Sequence, residues 1–296
     1  SAYYVLMNDI TITSSYWEPI TNFSGNFDGQ GHVIDGLNIT TRANSNGNIG
    51  LFAENKGTIK NLGVTNFNCT SWGTIGAVAG TNSGTIQYCY STGSINSSLA
   101  TGGSVGGLVG YNIGSSAYIS DCYSTVGVKV ASSSSSNVGG LVGYNYNGII
   151  KRCYATGRIA TPSTNVGGLV GYVYSSNTDR YGLEKFCFYD AGTTGMSDNS
   201  KGMGITTAAM KSQSTYTAWD FTNVWAIESG VNNGYPYLKF GGSMPTTAIE
   251  GVGTITYPYE ITNEKQLIAI ENEEFNNAKS AYYVLMNDIT ITSSYW

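Results

Sequence analysis

The chain repeats a short glycine-rich sequence, and this repetition limits its fold more than any other feature. Val-Gly-Gly-Leu-Val-Gly-Tyr occurs at 105–111, 138–144 and 166–172, with weaker copies at 49–52 and 75–80. Equivalent positions are 27, 30, 33 and 28 residues apart, at Gly50, Ala77, Gly107, Gly140 and Gly168. A repeat of this length is one supersecondary unit, which must stack on its neighbours to bury its apolar face. The sequence therefore predicts a solenoid.

A second pattern places apolar or small residues at offsets of zero, three and five. Its first members are Met7, Ile34, Ile59, Ile86, Ile119 and Ile150. An offset of three does not fit a flat strand, whose faces alternate. We therefore expect a bulge or corner between the first two positions, which lets all three side chains point inward.

Three cysteines occupy the middle position of this pattern. Cys89, Cys122 and Cys153 stand where the register places Leu37 and Leu62 in earlier coils. A buried Cys behaves as a small hydrophobe, so we expect a column of free, buried thiols. A disulfide and a metal site are the alternatives, but parallel side chains in a straight column favour neither geometry. Cys69 is out of register, and the pairing of Cys69 and Cys187 stays open.

These motifs resemble the GLUG repeat of bacterial and archaeal cell-surface proteins. Each glycine core is followed by a Cys-aromatic pair, and the matching core residues are Gly107, Leu108, Gly110, Gly140, Leu141, Gly143, Gly168, Leu169 and Gly171. The resemblance implies a mostly β fold, a right-handed parallel β-helix, on an extracellular surface protein that is often an adhesin. It brings no catalytic residues, because the motif is structural.

The composition agrees with an extracellular location. Only 11% of the residues are charged, against ~25% in a typical soluble domain. A net charge of −5 with 14 Lys and Arg argues against nucleic acid or an anionic membrane surface as the partner. No apolar run approaches the ~20 residues of a membrane span, and the first residues lack a signal-peptide pattern.

The chain also contains a long exact duplication. Residues 1–17 and 280–296 are identical, with an offset of 279 residues. This predicts one period of a tandem array, whose partners are neighbouring copies stacked end to end. We predict a parallel β-helix over 1–190, an end cap and aromatic cluster with a linker over 191–250, and the start of the next unit over 251–296.

The C-terminal third is predicted in more detail. Residues 206–213 read as a short helix that covers the open end of the core, and 244–245 open a linker. A compact aromatic cluster is expected from Trp219, Phe221, Val224, Trp225 and Ile227. The next unit is predicted to begin with a strand at 255–261, a helix at about 263–275 and a strand at 282–291.

Candidate catalytic residues are sparse. His32 is the single histidine and lies in a turn sequence, which excludes a site built from several histidines. Asp9, Asp35 and Asp121 share one outward position, and Tyr88 and Arg152 occupy that position in neighbouring coils. We expect a solvated strip here; sugar binding or polysaccharide cleavage is the alternative. No cofactor and no metal are predicted.

Two further surface features complete the prediction. Tyr111, Tyr144 and Tyr172 form a column that packs between coils or, alternatively, stacks on sugars or another fibre. Glycosylation sequons occur at Asn22, Asn38, Asn68 and Asn96. The favoured function is a non-catalytic structural or adhesive module of a very large surface protein or filament, with glycans or host surfaces as further partners. The alternative is a carbohydrate-binding or carbohydrate-active β-helix.

Overall fold

The chain winds into a parallel β-helix. The computed structural model describes residues 2–14, 16–40, 47–97, 103–131, 136–175, 184–197, 201–240, 259–261 and 282–285. Within these residues, one long sheet of eighteen strands and two sheets of five strands run along the axis, and the paired strands of all three are parallel. The predicted β-helix is confirmed, with about five complete turns.

The strands of the long sheet lie along one side of the coil. In chain order they are β1 (Tyr3–Val5), β2 (Ile10–Thr11), β3 (Asn26–Asp28), β4 (Val33–Asp35), β5 (Asn38–Ile39), β8 (Thr58–Cys69), β11 (Thr85–Ser97), β14 (Tyr118–Ser120), β15 (Tyr123–Ser124), β16 (Gly127–Val130), β19 (Ile149–Lys151), β20 (Tyr154–Ala155), β21 (Ile159–Ala160), β24 (Glu184–Lys185), β25 (Phe188–Asp190), β26 (Met203–Ile205), β29 (Tyr259–Ile261) and β30 (Tyr282–Leu285).

The glycine-rich repeats supply the other two sheets. The glycine sheet contains β6 (Asn48–Ile49), β9 (Thr74–Ile75), β12 (Ser104–Gly106), β17 (Asn137–Gly139) and β22 (Asn165–Gly167). The tyrosine sheet contains β7 (Phe52–Asn55), β10 (Ala79–Asn82), β13 (Val109–Ile113), β18 (Val142–Tyr146) and β23 (Val170–Tyr174). The C-terminal segment adds α1 (Ala191–Thr194), α2 (Thr207–Met210), 3₁₀ turns at Gln213–Thr215 and Asn232–Gly234, and an antiparallel pair of β27 (Trp225–Ala226) and β28 (Tyr237–Leu238).

The predicted corner within the long sheet is present. At offset two of five successive coils the residue has a left-handed backbone, with φ between 48° and 56°; these residues are Asn61, Tyr88, Asp121, Arg152 and Phe186. One left-handed residue reverses the alternation of side chains. The positions on both sides of it therefore point inward, as the offset of three requires.

The predicted register is wrong in the first coils. Ile34 pairs with Val64, while Phe27 pairs with Ile59. The sequence pattern had aligned Ile34 with Ile59. Seven residues separate Phe27 from Ile34, but only five separate Ile59 from Val64. The two extra residues lie in the turn that contains Gly29 and His32, so the apolar spacing alone misplaced the coil.

The interior columns follow from the corrected register. Cys89 pairs with Leu62, and the next coils continue the column with Cys122, Cys153 and Cys187, all buried and free of disulfides. Leu37 belongs elsewhere, since the residue after it, Asn38, pairs with Asn68. The same pairing resolves the place of Cys69, which lies between Ile39 and Ile95 in an apolar column.

The central glycines of the repeat are required by close packing inside the coil. A Cβ on Gly107 would lie 2.1 Å from Ser124 Oγ, and one on Gly140 would lie 2.3 Å from the carbonyl oxygen of Gly168. Neither distance is tolerated by real side chains, and the nearer atom at Gly140 belongs to rigid backbone. These glycines let the glycine-rich wall approach the long sheet.

A buried asparagine ladder runs beneath the tyrosine sheet. The Nδ2 atoms of Asn55, Asn82 and Asn112 each donate to the Oδ1 of the next asparagine at 2.7 Å, ending at Asn145. All four side chains are fully buried. Each amide satisfies its neighbour, so the ladder fixes the stacking of four coils at little desolvation cost.

The C-terminal end of the solenoid is closed by the chain after β25. Strand β26 pairs with β25, Gly202 packs on Leu169, and Lys201 Nζ donates to the carbonyls of Val166 and Gly171 at 2.8 and 2.7 Å. Helix α2 is shorter than predicted and does not cover this end. Its Met210 packs instead in an aromatic cluster on the side of the long sheet.

The opposite end brings the duplicated sequence together. Strand β30 lies parallel to β1 in register, with Tyr282 opposite Tyr3 and Val284 opposite Val5. Strand β29 pairs with the outer edge of β30. The strand predicted at 255–261 is therefore seen over Tyr259–Ile261. The predicted helix at 263–275 and the linker at 244–245 lie outside the described residues.

Candidate functional site

The expected solvated strip of Asp121, Tyr88 and Arg152 is only partly present. Asp121 is buried and not available to a ligand, while Tyr88 and Arg152 are half-buried. Arg152 Nε and Nη2 donate to the two Asp121 oxygens at 2.6 and 2.5 Å, and these hydrogen bonds raise the pKa of Arg152. Trp225 Nε1 approaches Asp121 Oδ1 at 3.3 Å, and Asp121 is only 2% exposed. The carboxylate therefore anchors the C-terminal segment. The sequence could not show this, because Trp225 is 104 residues away.

The prediction that Asp9 and Asp35 share the position of Asp121 is wrong, because Asp35 pairs with Thr65 and Ile10, next to Asp9, pairs with Ile34, whereas Asn61 holds the position of Asp121 in that coil. Both acids have local partners. The His32 ring meets Asp9 Oδ1 through Nδ1 at 3.0 Å, and the Val33 amide donates to the same oxygen. Asp35 accepts from Thr65 Oγ1 at 2.5 Å and from Asn66 Nδ2 at 2.8 Å. These contacts link successive coils, which agrees with the predicted structural turn at His32.

Aromatic rings on the long sheet form what we call the covered ladder: Tyr90, Tyr123, Tyr154 and Phe188. The rings of Tyr90, Tyr123 and Tyr154 stack at 5.0 Å with interplanar angles of 8° and 3°. Residues 205–240 lie across them, with Trp225 at 6.2 and 6.1 Å from Tyr123 and Tyr154. The predicted aromatic cluster is confirmed here, and it packs laterally on the solenoid.

Five tyrosines on the tyrosine sheet form a second set, the exposed platform: Tyr111, Tyr144, Tyr146, Tyr172 and Tyr174. Two pairs stack almost parallel, Tyr111 on Tyr144 at 4.8 Å and Tyr146 on Tyr174 at 4.9 Å. The predicted column therefore exists as inter-coil packing. Tyr172 departs from it, with a ring turned 61° from that of Tyr144. The sequence reading missed Tyr146 and Tyr174, although the Gly-Tyr-Asn-Tyr and Gly-Tyr-Val-Tyr strands contain them.

The exposed platform carries no formal charge. Partial burial and neighbouring phenols raise the pKa of Tyr111 and Tyr144, so both hydroxyls stay protonated at neutral pH. The strands that contain these tyrosines have no charged residue; their sequences are Val-Gly-Tyr-Asn-Ile, Val-Gly-Tyr-Asn-Tyr and Val-Gly-Tyr-Val-Tyr. Tyr172 and Tyr174 are 39% and 42% exposed. The platform is thus a neutral aromatic surface that presents hydroxyl groups to solvent.

Cys122 in the cysteine column and Cys69 outside it have the environment of unreactive thiols. Cys122 donates to the Ser120 carbonyl and Cys153 to the Lys151 carbonyl, each with Sγ at 3.1 Å. Burial raises the pKa of Cys122, and it raises the pKa of Cys69 to about 12. Since the thiolate is the reactive form, we expect Cys122 and Cys69 to react slowly in the folded state. For Cys153, burial acts to raise the pKa, but hydrogen bonds with Cys122 and Cys187 outweigh it and lower the pKa. The reduced state of the column stays a prediction.

The predicted sequons lie on the outer surface of the first coils. Asn22, Asn68 and Asn96 are exposed, and Asn38 is half-buried. Asn68 Nδ2 donates to Asn38 Oδ1 at 3.0 Å, so these two amides also link neighbouring coils. Whether any of them carries a glycan stays a prediction.

The residues that the structure describes contain neither a cluster of metal ligands nor a membrane-spanning helix. There, no three His, Cys, Asp or Glu side chains converge as ligands for a metal ion. In the same part of the chain, no helix has the length and apolar composition that a membrane crossing requires.

Comparison with known sequences supports the predicted repeat. The family model of the GLUG motif matches residues 134–160, which confirms the resemblance. The chain is 38% identical over 96 residues to Halomucin of Haloquadratum walsbyi, which covers 30% of this chain and 1% of Halomucin. It is 32% identical over 140 residues to a candidate Gly-rich membrane protein of Evansella cellulosilytica, covering 47% of this chain and 12% of that protein.

Comparison with solved structures supports the fold. A candidate immunoglobulin A1 protease from Bacteroides ovatus superposes with a TM-score of 0.59 over 81% of this chain and 86% of that one. The sequences are 20% identical, so the likeness concerns the fold alone. The matched part of each curated sequence relative is a small fraction of its length.

Proposed function

We propose that this GLUG-motif chain is a non-catalytic structural and adhesive module of a very large extracellular surface protein, in which solenoid units follow one another in tandem. The sequence relatives support a surface repeat module. The small share of Halomucin that the chain spans supports a large parent protein. The exact duplication of residues 1–17 at 280–296 carries the tandem arrangement, and one structural observation accompanies it.

That observation is the register between β30 and β1. Identical residues face each other across the pair, with Tyr3 opposite Tyr282, Tyr4 opposite Tyr283 and Val5 opposite Val284. Strand stacking satisfies the backbone groups at the end of the solenoid, which otherwise attract foreign strands. A strand of the duplicated sequence is therefore able to extend the long sheet past β1, so this end of the sheet accepts a further parallel strand.

The engagement of the acidic side chains supports a non-catalytic role. Asp121 is held by Arg152, Asp28 by Lys60 at 3.0 Å, and Asp190 by Tyr235 Oη at 2.7 Å. General acid–base catalysis needs a carboxyl group within reach of substrate. These carboxylates instead join one part of the fold to another.

The tandem arrangement is tested with proteins of one period and of two consecutive periods in native order. Small-angle X-ray scattering is expected to show a rod whose length roughly doubles with the second period. Two independent compact bodies joined by a flexible segment would contradict stacking.

The non-catalytic role is tested with substrates. The one-period protein is incubated with immunoglobulin A1, which the structural relative's description suggests, and with neutral and acidic polysaccharides. We expect no new peptide fragment, reducing end or unsaturated product. Turnover that disappears in Asp121→Asn or Arg152→Gln would overturn the proposal.

A further inference from the structure

We propose that the exposed platform is a binding site for a neutral polysaccharide. This inference rests on the proposed surface role and gives the adhesive function a ligand class and a location. The platform consists of the five tyrosines defined above, at the C-terminal end of the tyrosine sheet. Its ring geometry, charge and size each favour this class of ligand.

Ring geometry separates the platform into two kinds of position. Tyr111 and Tyr144 stack within 5° of parallel, so the ring faces between them are occupied. Tyr172 leaves the stack at 61°, and Tyr174 ends the second stack; these are the two most exposed rings of the set. Aromatic surface for the apolar C–H face of a pyranose is therefore concentrated at Tyr172 and Tyr174.

The phenol hydroxyls supply the polar half of the interaction. Within the described residues, the hydroxyls of Tyr111, Tyr144 and Tyr146 make no hydrogen bond to protein, in contrast to the Tyr154 hydroxyl, which donates to the Pro236 carbonyl at 2.6 Å. A phenol both donates and accepts. Sugar hydroxyls also both donate and accept hydrogen bonds. A sugar chain that stacks on Tyr172 or Tyr174 can therefore form hydrogen bonds with the neighbouring phenol hydroxyls.

The charge of the surroundings selects a neutral glycan. The platform strands β13, β18 and β23 contain no charged residue. In the same column, Tyr111 pairs with Thr81 of β10, and Thr81 pairs with Glu54 of β7. Glu54 is therefore two strands, or roughly 10 Å, from Tyr111. Lys201 Nζ lies beside β23, where it donates to the carbonyls of Val166 and Gly171. The strands themselves offer an acidic polysaccharide no cation, and the Glu54 carboxylate lies at their edge.

The size of the patch favours a sugar chain over a second protein. Three strands at ~4.8 Å spacing and two positions ~7 Å apart along each strand give an area on the order of 200 Å². A stable protein interface buries ~800 Å² on each partner. The platform is too small to hold another copy of the chain alone, whereas a few pyranose rings cover it.

The test is affinity electrophoresis of the whole chain through gels that contain hydroxyethylcellulose, yeast mannan or polygalacturonate. We expect at least one neutral polymer to retard the protein and polygalacturonate to leave it unretarded. Tyr172→Ala combined with Tyr174→Ala is expected to weaken binding at least tenfold. The matched control is Tyr118→Ala, which removes a half-buried tyrosine of β14 on the long sheet.

Two further variants protect the result from a folding artefact. Tyr172→Phe with Tyr174→Phe keeps the rings and is expected to retain most of the binding, and all variants should melt within a few degrees of the parent. Equal retardation of parent and double-alanine protein, retardation by polygalacturonate alone, or no retardation by either neutral polymer would overturn the inference. So would concentration-dependent dimerisation, measured by sedimentation, that the double-alanine change abolishes. The scattering test of stacking is unaffected by these outcomes, so either proposal can fail alone.

Discussion

Stacked tyrosines occur on two sheets of this molecule; one set is buried and the other is partly exposed. Rings in the covered ladder stack at 5.0 Å and lie under Trp219, Trp225 and the rest of residues 205–240. Rings of the exposed platform stack at 4.8 and 4.9 Å, and two of its members remain about 40% exposed. Coil stacking therefore produces aromatic columns wherever the repeat places a tyrosine, and the remaining chain decides which column becomes core.

The largest expected effect comes from uncovering the covered ladder. Trp225→Ala removes a fully buried ring that packs on Tyr123, Tyr154 and Trp219, and it removes the hydrogen bond that the indole N–H donates to Asp121. We expect the free energy of unfolding to fall by about 3–5 kcal/mol. Denaturant titration measures it, with Trp72→Ala as the control because Trp72 is 58% exposed. Equal losses in the two variants would show that residues 205–240 do not stabilise the solenoid.

The second effect concerns the support beneath the exposed platform. Asn112→Ala leaves one N–H of Asn82 Nδ2 without its acceptor, while the other keeps the Gly84 carbonyl, and it leaves Asn145 Oδ1 without the donor in the ladder. Each unsatisfied group costs about 1–3 kcal/mol, so a loss of about 2–4 kcal/mol is expected. Exposed Asn96 provides the control through Asn96→Ala, which should stay within about 0.5 kcal/mol of the parent in the same titration. A loss below about 1 kcal/mol for Asn112→Ala would mean that water replaces the ladder.

A single hydroxyl distinguishes the two tyrosine sets more finely. Tyr154 Oη donates to the Pro236 carbonyl and accepts from Asn232 Nδ2 at 2.7 Å. Tyr154→Phe is therefore expected to cost about 1–2 kcal/mol, whereas Tyr144→Phe on the exposed platform should cost less than about 0.5 kcal/mol. Thermal and chemical unfolding compare the pair. A larger loss at Tyr144 would reverse the comparison.

A further expected effect is confined to alkaline pH. Burial, with the charges of Asp9 and Asp35, raises the pKa of Tyr90 to about 12, against ~10 in an unfolded chain. The folded state holds this proton more tightly. Its stabilisation is therefore complete below about pH 10 and is lost as pH rises through about 12. Unfolding free energies between pH 9 and 12 should fall less steeply in Tyr90→Phe than in the parent; parallel curves would contradict the assignment.

The repeat itself carries most of what could be predicted. The period of the Gly-Gly-Leu-Val-Gly sequence and the apolar offsets predicted the solenoid, the inward column of Cys89, Cys122 and Cys153, and the corner that Tyr88 and its equivalents form. These are contacts between equivalent residues of adjacent coils. A sequence with internal repeats contains that alignment within itself.

The errors arose where the repeat is interrupted or where distant segments meet. The longer turn around Gly29 shifted the first coils, and Trp225 covers Asp121 from 104 residues away. The Asn82, Asn112 and Asn145 ladder was missed, although each asparagine ends the same strand motif and the repetition was visible. Helix α2 was expected to cover the end of the solenoid, but its Met210 packs on the side of the long sheet. This error arose because the repeat does not indicate where a segment outside it packs.

The central claim, that the two tyrosine sets have different roles, is tested most directly by hydroxyl-radical footprinting with mass-spectrometric readout, with and without hydroxyethylcellulose. We predict that Tyr123 and Tyr154 react little in either condition, because they are 5% and 0% exposed. Tyr172 and Tyr174 should react strongly alone and become protected when the polymer is added. Unchanged modification of Tyr172 and Tyr174 at saturating polymer, or strong modification of Tyr154 in the free protein, would contradict the account.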